Sequence, residues 1–231
     1  MAKKKSKKGI CAICGREDDL TKEHIPPKGI FLKPRPKNTI TVFTCHCCNQ
    51  DTKLDDEYFR FWVTAGAHPN TKLSEVWKDK VVGSSFKRSP ALLRKIQDDH
   101  KRLIDHHLQD PLKTYDGEIV PDELLSRCYM VDAKRINRVA CKIVKGLYFH
   151  HFQTPMPANI TFDVSTAPIH IEILKRVIIA RKGLVGGKQG EFIYWFKFAN
   201  DGNFNSRWVL IFYLQNYLTV ETKLADCITS G

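Results

Sequence analysis

The hydrophobic pattern splits the chain near residue 50. Before that point apolar positions are few, and residues 10–48 are broken by Pro26, Pro27, Pro34 and Pro36. Such a stretch cannot build a hydrophobic core unaided and needs another source of order. From Asn49 the spacing predicts a helix with Leu54, Tyr58, Phe61 and Trp62 on one face, stopping near Gly66 ahead of His68 and Pro69. Residues 71–109 read as mainly helical, interrupted at 83–85 and again near 89–90, with Ser89 as a cap and Pro90 in the following first turn. Residues 113–120 predict a short strand. The clearest helix is 132–150, where Ile136, Val139, Ala140, Ile143, Val144 and Leu147 recur at helical spacing behind Asp132 as cap or first-turn acid.

Beyond a proline-containing linker at 154–157 lie an apolar segment at 169–180 and a glycine-rich turn at 183–190. Strand-like runs follow at 191–198, 207–214 and 217–223, with Asp201-Gly202-Asn203 as a hairpin signal. Gly183, Gly186, Gly187 and Gly190 do not form a phosphate-binding P-loop, because no GxxxxGK[ST] is present. The fold class expected is α+β: a small N-terminal module at 10–66, preceded by a basic disordered tail at 1–9, and a larger α+β domain of unassigned fold at 67–231.

Composition and charge narrow the function. Hydrophobic residues make up 42% of the 231 residues, which excludes wholesale disorder. The longest strongly apolar run, 208–214, is far shorter than the roughly 20 residues that cross a bilayer. No apolar stretch follows the basic start as a secretory signal would require. A cytoplasmic protein without a membrane partner is the expectation. The net charge is +12; removing the five lysines of the first eight residues leaves +7, so the remainder is basic in its own right. Phosphate-rich partners follow from that excess, since lysine and arginine release the counterions condensed on nucleic acid. Lys134, Arg138, Lys142 and Lys145 form a basic stripe opposite the apolar face of the 132–150 helix. It reads as a solvated face or as a phosphate-contact surface.

Of eight cysteines, five fall within 11–48, while Cys128, Cys141 and Cys227 are scattered and expected to be small buried hydrophobes. Cys11-x2-Cys14 and Cys45-x2-Cys48 are two half-sites that together make a tetrahedral Zn²⁺ site. Cys47 is an alternative ligand, but Cys45 and Cys48 keep the usual spacing. A structural zinc would supply folding free energy to the proline-broken stretch. His106-His107 and His150-His151 lack the spacing of a ligand set and read as helix-end residues. Aromatics in 194–198 and 208–213 suit base stacking or, more simply, a strand-rich core.

Between the half-sites lies Glu23-His24-Ile25-Pro26-Pro27. Asn38 sits in the loop that follows, and Asn49 directly follows Cys48. Over about residues 10–62 this resembles the HNH (ββα-metal) endonuclease family, in the variety whose ββα motif is pinned by a four-cysteine zinc site. Glu23 stands where the family more often has Asp or His, and Asn49 stands in place of the name-giving final His. The resemblance implies a metal-dependent endonuclease that hydrolyses DNA phosphodiester bonds to 5′-phosphate and 3′-hydroxyl ends. His24 would be the general base, Glu23 and Asn49 the ligands of a catalytic Mg²⁺ or Mn²⁺, and Asn38 the residue holding the loop that orients His24. Asn49, at the start of its helix, would also aim the helix's positive end at the scissile phosphate. Lys53, one turn further on, joins Lys134, Arg138, Lys142 and Lys145 as an expected nucleic-acid contact. The C-terminal region would bind substrate, recognise a signal or mediate self-association into a homo-oligomer. Roles in phage defence, restriction or mobile elements follow by analogy. The competing expectations are a non-catalytic zinc-ribbon nucleic-acid-binding protein and an RNA-directed nuclease.

Overall fold

Two antiparallel sheets are joined through one long helix. The computed structural model describes residues 7–65, 67, 70–114, 116–121, 130–166, 170–186, 190–200 and 204–225. The first sheet has the order β1-β2-β3, from β1 (Lys7–Ile10), β2 (Glu17–Ile25) and β3 (Ile40–Cys45). Residues 7–9 of the expected tail therefore belong to a strand, and residues 1–6 lie outside the described residues. β1 opposes only Glu17 to Leu20, whereas β3 pairs along β2 from Leu20 to Ile25. Past Leu20, β2 keeps a neighbour on one side only, and its other edge is open.

The chain then enters α1 (His46–Asp51) and α2 (Lys53–Thr64), separated at Thr52. The helix starts at His46, ahead of the expected Asn49, because Cys45 caps it: its Sγ accepts the Cys48 N–H at 3.4 Å. Asn49 thus sits within α1 and not at its positive end. Tyr58, Phe61 and Trp62 are buried as their spacing predicts, but Leu54 is 65% exposed and Asp55 is buried in its stead. The reason is electrostatic, since Asp55 accepts from Arg138 at 2.9 Å across the helix interface.

Residues 72–88 run as α3 (Lys72–Val76), a π-helix at Trp77–Ser85 and α4 (Phe86–Arg88). Gly83 does not break this run. The helix widens there, with the Phe86 N–H reaching the Val81 carbonyl. The break falls at Ser89, whose hydroxyl accepts the Leu92 N–H ahead of α5 (Pro90–Gln109). The strand expected at 113–120 is instead a tight turn closed by a Lys113–Ile119 bridge and a Thr114 N–H to Glu118 carbonyl bond of 2.7 Å.

α6 (Ala133–Phe152) follows the sequence pattern closely: Asp132 caps it, and all six predicted apolar positions are buried. After it comes β4 (Ile160–Ser165), a strand the sequence reading did not anticipate, and then the 169–180 segment as α7 (Ile171–Ile179). β5 (Gly183–Val185) occupies part of the expected glycine turn. β6 (Phe192–Phe198), β7 (Ser206–Phe212) and β8 (Asn216–Leu224) fall where strand-like runs predict them. The hairpin signal at 201–203 lies outside the described residues, although β6 and β7 are antiparallel neighbours. The sheet order is β4-β8-β7-β6-β5.

This second sheet is apolar on both faces. Val209, Ile211 and Ile193 meet Val177 of α7 on one side. Phe192, Tyr194, Trp208, Leu210 and Phe212 join the main core on the other, which accounts for the aromatic runs as packing. That core also holds Ile25, Phe59, Tyr58 and the α6 stripe, so apolar contact is continuous across residue 66. Polar ties reinforce it: Asn216 donates to the Val63 carbonyl and Tyr213 to the Ile30 carbonyl, each at 2.7 Å. Cys141 is half-buried, and Cys128 and Cys227 lie outside the described residues. Among the described residues no helix is long and apolar enough to cross a membrane.

Gly146 is where α6 passes β2. A Cβ there would lie 2.5 Å from Ile25 Cδ1, and Ile25 is 1% exposed with nowhere to move. Gly146→Ala is expected to destabilise by about 1–3 kcal/mol through overpacking, outweighing the roughly 1 kcal/mol gain in helix propensity. Chemical denaturation checks this, and Ile25→Val in the same chain is expected to restore part of the loss.

Candidate functional site

The cysteine half-sites converge because the β1–β2 turn and the β3–α1 junction stand side by side. Gly15 takes a positive φ of 72°, which lets the chain reverse just after Cys14, and the Cys11 N–H bonds back to the Arg16 carbonyl at 2.9 Å. The Sγ atoms of Cys11, Cys14, Cys45 and Cys48 all lie within 4.8 Å of one another, and Cys14 and Cys45 are 3.9 Å apart. A tetrahedron with metal–sulfur bonds near ~2.3 Å has edges of about 3.8 Å, so the donor set fits a zinc-type ion. Cys47 is exposed and stands outside the cluster. Without an ion the thiols divide: burial pushes Cys11 and Cys48 up, whereas at Cys14 burial is outweighed by hydrogen bonds from the Arg16 side chain and N–H, joined by those of Cys11 and Cys48, which bring it down to about 6. Leu20 packs on Cys11 and Cys45 and shields this knot.

Beside the knot a cleft of about 620 Å³ opens against the unpaired edge of β2. Glu23, His24 and Asn49 all line it, as do Thr21 and Lys22. Consecutive strand residues normally face opposite sides; here both sides reach the cleft around the open edge. Asn49 Nδ2 donates to Thr21 Oγ1 at 2.8 Å, fixing its amide against β2. The His24 imidazole is held below its ordinary pKa, chiefly by burial and then by Lys28, with Glu23 acting in the opposite direction. It is therefore neutral at pH 7, as a proton acceptor must be.

Asn38 is not part of this lining. Its side chain donates to the Leu184 carbonyl at 2.8 Å and accepts the Gly186 N–H at 3.1 Å, tying its loop to β5. Lys53 does line the cleft. The four cations of the α6 stripe have different surroundings. Lys134 is exposed, Arg138 pairs with Asp55, and Lys145 lies 5.3 Å from the centre of the Phe162 ring. Lys142 corrects the expectation most sharply, being 3% exposed.

The Lys142 ammonium donates to Glu23 Oε1 at 2.9 Å, Thr52 Oγ1 at 2.6 Å and both Asp56 oxygens at 2.9 Å. All three of its protons are engaged. Asp56 is pushed up to about 6 by burial, with Lys142 pulling the other way, so it is mostly ionised at neutral pH. Two carboxylates thus face one ammonium. Glu23 Oε2 has no protein partner among the described residues. Sequence reasoning missed Asp56 and Arg60, which line the cleft, and placed Lys142 on a phosphate-contact face where the structure sets it behind Glu23 and Asp56. The signal available was the acidic run Asp55-Asp56-Glu57 followed by Arg60, one turn past the helix start. His46, exposed between two cysteines, also lines the cleft. In each of the two histidine pairs one ring has a local hydrogen bond: His107 Nδ1 accepts the Leu112 N–H at 3.1 Å, and His151 bonds Tyr194 at 2.9 Å. Apart from the four cysteines, no group of three or more His, Cys, Asp or Glu ligand atoms clusters among the described residues.

No protein-family model, curated protein or solved structure matches the chain.

Cys45→Ser is expected to abolish stoichiometric zinc, measured by elemental analysis, and to lose strand signal in circular dichroism. Lys142→Met is expected to cost about 3–5 kcal/mol in chemical denaturation, because it leaves two carboxylates without their counter-charge.

Proposed function

We propose that the chain is an HNH-type, metal-dependent endonuclease hydrolysing DNA phosphodiester bonds. The observation that carries this reading is the shared cleft: the adjacent Glu23 and His24 of β2 and Asn49 of α1, 25 residues further on, line one opening beside the cysteine knot. The succession β2, β3, α1 around that knot is the order the resemblance calls for.

In this reading the neutral His24 imidazole takes a proton from water as that water attacks phosphorus, and the 3′ oxygen leaves from the opposite side. Glu23 offers its uncommitted Oε2, and Asn49 its amide oxygen, to a Mg²⁺ or Mn²⁺ ion, a hard oxygen-seeking cation. When bound, that ion supplies charge neutralisation on the phosphate and the departing oxygen. Thr21 fixes the Asn49 amide, and Lys142 fixes Glu23 Oε1. Asn38 holds the preceding loop through β5 and not through a contact with His24.

Zinc-loaded protein incubated with supercoiled plasmid and Mg²⁺ or Mn²⁺ is expected to yield nicked or linear DNA. His24→Ala is expected to lower the rate at least about a hundredfold without changing the fold. DNA that shifts in a gel but is never cut under either metal would make the protein a zinc-dependent binder. Cleavage confined to a parallel RNA substrate would reassign it as an RNA-directed nuclease.

A further inference from the structure

The far wall of the cleft holds a second feature. Arg60 of α2 is 7% exposed and lines the cleft, yet its positive charge is poorly answered. Its Nε is buried without a hydrogen-bond partner. The closest carboxylate oxygen, Glu57 Oε1, is 3.8 Å from Nη2, beyond hydrogen-bond reach. That same oxygen is claimed at 3.2 Å by Arg88 from α4. Two guanidinium groups therefore converge on one carboxylate oxygen. Asp56, one turn earlier, is committed to Lys142.

A buried charge left underpaired is costly, and folded proteins retain one where something outside the chain completes it. The surroundings define that completing group. The turn at Lys28–Ile30 brings Gly29 against the guanidinium, where a Cβ would lie 3.2 Å from Arg60 Nη1, so the turn's backbone closes one side. Lys28 and Lys80 line the same region from the turn and the π-helix, Lys80 being paired with Asp79. The site is rich in planar and ammonium donors and opens toward the end that carries His24. An anion with several oxygen acceptors matches a guanidinium fork.

We propose that Arg60 and Arg88 form a phosphate subsite that grips a phosphodiester of the bound nucleic acid, adjacent to the one at His24. The ligand's identity rests on the nuclease reading above; the anion selectivity of the subsite does not. Arg60 acts as a binding residue that fixes the strand's position along the cleft, one turn of α2 from Asp56. The cleft is thereby polarised. At its Glu23–Asp56 end two carboxylates share one ammonium, and at its Arg60–Arg88 end two guanidinium groups share one carboxylate, which leaves the second end short of negative charge and suited to phosphate.

Two measurements on the full-length, zinc-loaded protein test this. The first is thermal unfolding with millimolar inorganic phosphate. Wild type is expected to gain melting temperature, Arg60→Met to gain none, and Arg60→Met without phosphate to be at least as stable as wild type. The second is binding of a short DNA duplex in the His24→Ala background across a salt series. Arg60→Met is expected to bind about tenfold more weakly, with the salt slope reduced by about one. Arg88→Gln, at an exposed position, is expected to bind about threefold more weakly with unchanged folding. An Arg60→Met protein that responds to phosphate and DNA as wild type does would overturn the subsite and leave the nuclease reading intact. An Arg60→Met protein less stable than wild type without phosphate would make Arg60 a structural cation, which also overturns it. Phosphate stabilisation that depends on Arg60, in a protein that binds neither DNA nor RNA, would overturn the phosphodiester assignment together with the nucleic-acid reading, but not the anion selectivity.

Discussion

One buried ammonium sets the geometry of the cleft. Lys142 reaches from the middle of α6 to β2 through Glu23, to the α1–α2 junction through Thr52, and to α2 through Asp56. Glu23 lies about thirty residues before Thr52 and Asp56, and Lys142 some ninety after them, so one nitrogen ties together three separate stretches of chain. Because a lysine has three protons and all are taken, each partner is held at a fixed distance from the same nitrogen. The helix that carries Lys142 is itself pinned by its apolar stripe in the core. The position of Glu23 at the cleft is thus inherited from packing on the other side of the molecule.

The cysteine knot and the ammonium act on different parts of the same sheet. The knot clamps the β1–β2 turn to the β3–α1 junction, where the apolar cluster is small and made largely of the cysteines themselves with Leu20 and Ile13. The ammonium acts beyond Leu20, where β1 has ended and β2 has an open edge. An edge of that kind is a weak point in most sheets. Here it is where side chains from both faces of one strand meet in a single opening.

Sequence carried the local features and lost the long-range ones. The α6 stripe, the Ser89 and Asp132 caps, the cysteine pairs and the three C-terminal strands were legible because each depends on residues a few positions apart. β4 was overlooked although Ile160, Phe162 and Val164 alternate, since six residues behind a proline linker give period two little room. Leu54 and Asp55 exchange their expected environments because Arg138, on a helix more than seventy positions away, attracts the acid. Lys142 shows the limit most plainly. On a helical wheel it belongs with a charged face, and only Glu23 and Asp56 make its burial favourable. His24, Glu23 and Asn49 were legible as a constellation, whereas Arg60 was not. An arginine late in an apolar helix face carries no mark showing that its carboxylate is shared with a second arginine.

The unbroken core has a consequence for how such a chain can be taken apart. The first sixty-odd residues carry the cysteine knot, but Ile25, Phe59 and Tyr58 find their apolar neighbours largely on α6 and the second sheet. Cutting the chain after α2 would strand Glu23 and Asp56 without their counter-ion and leave greasy surface in water on both fragments. The front portion therefore draws both its apolar cover and the counter-charge of its cleft from the region behind it, and a substitution at that shared seam is felt on both sides.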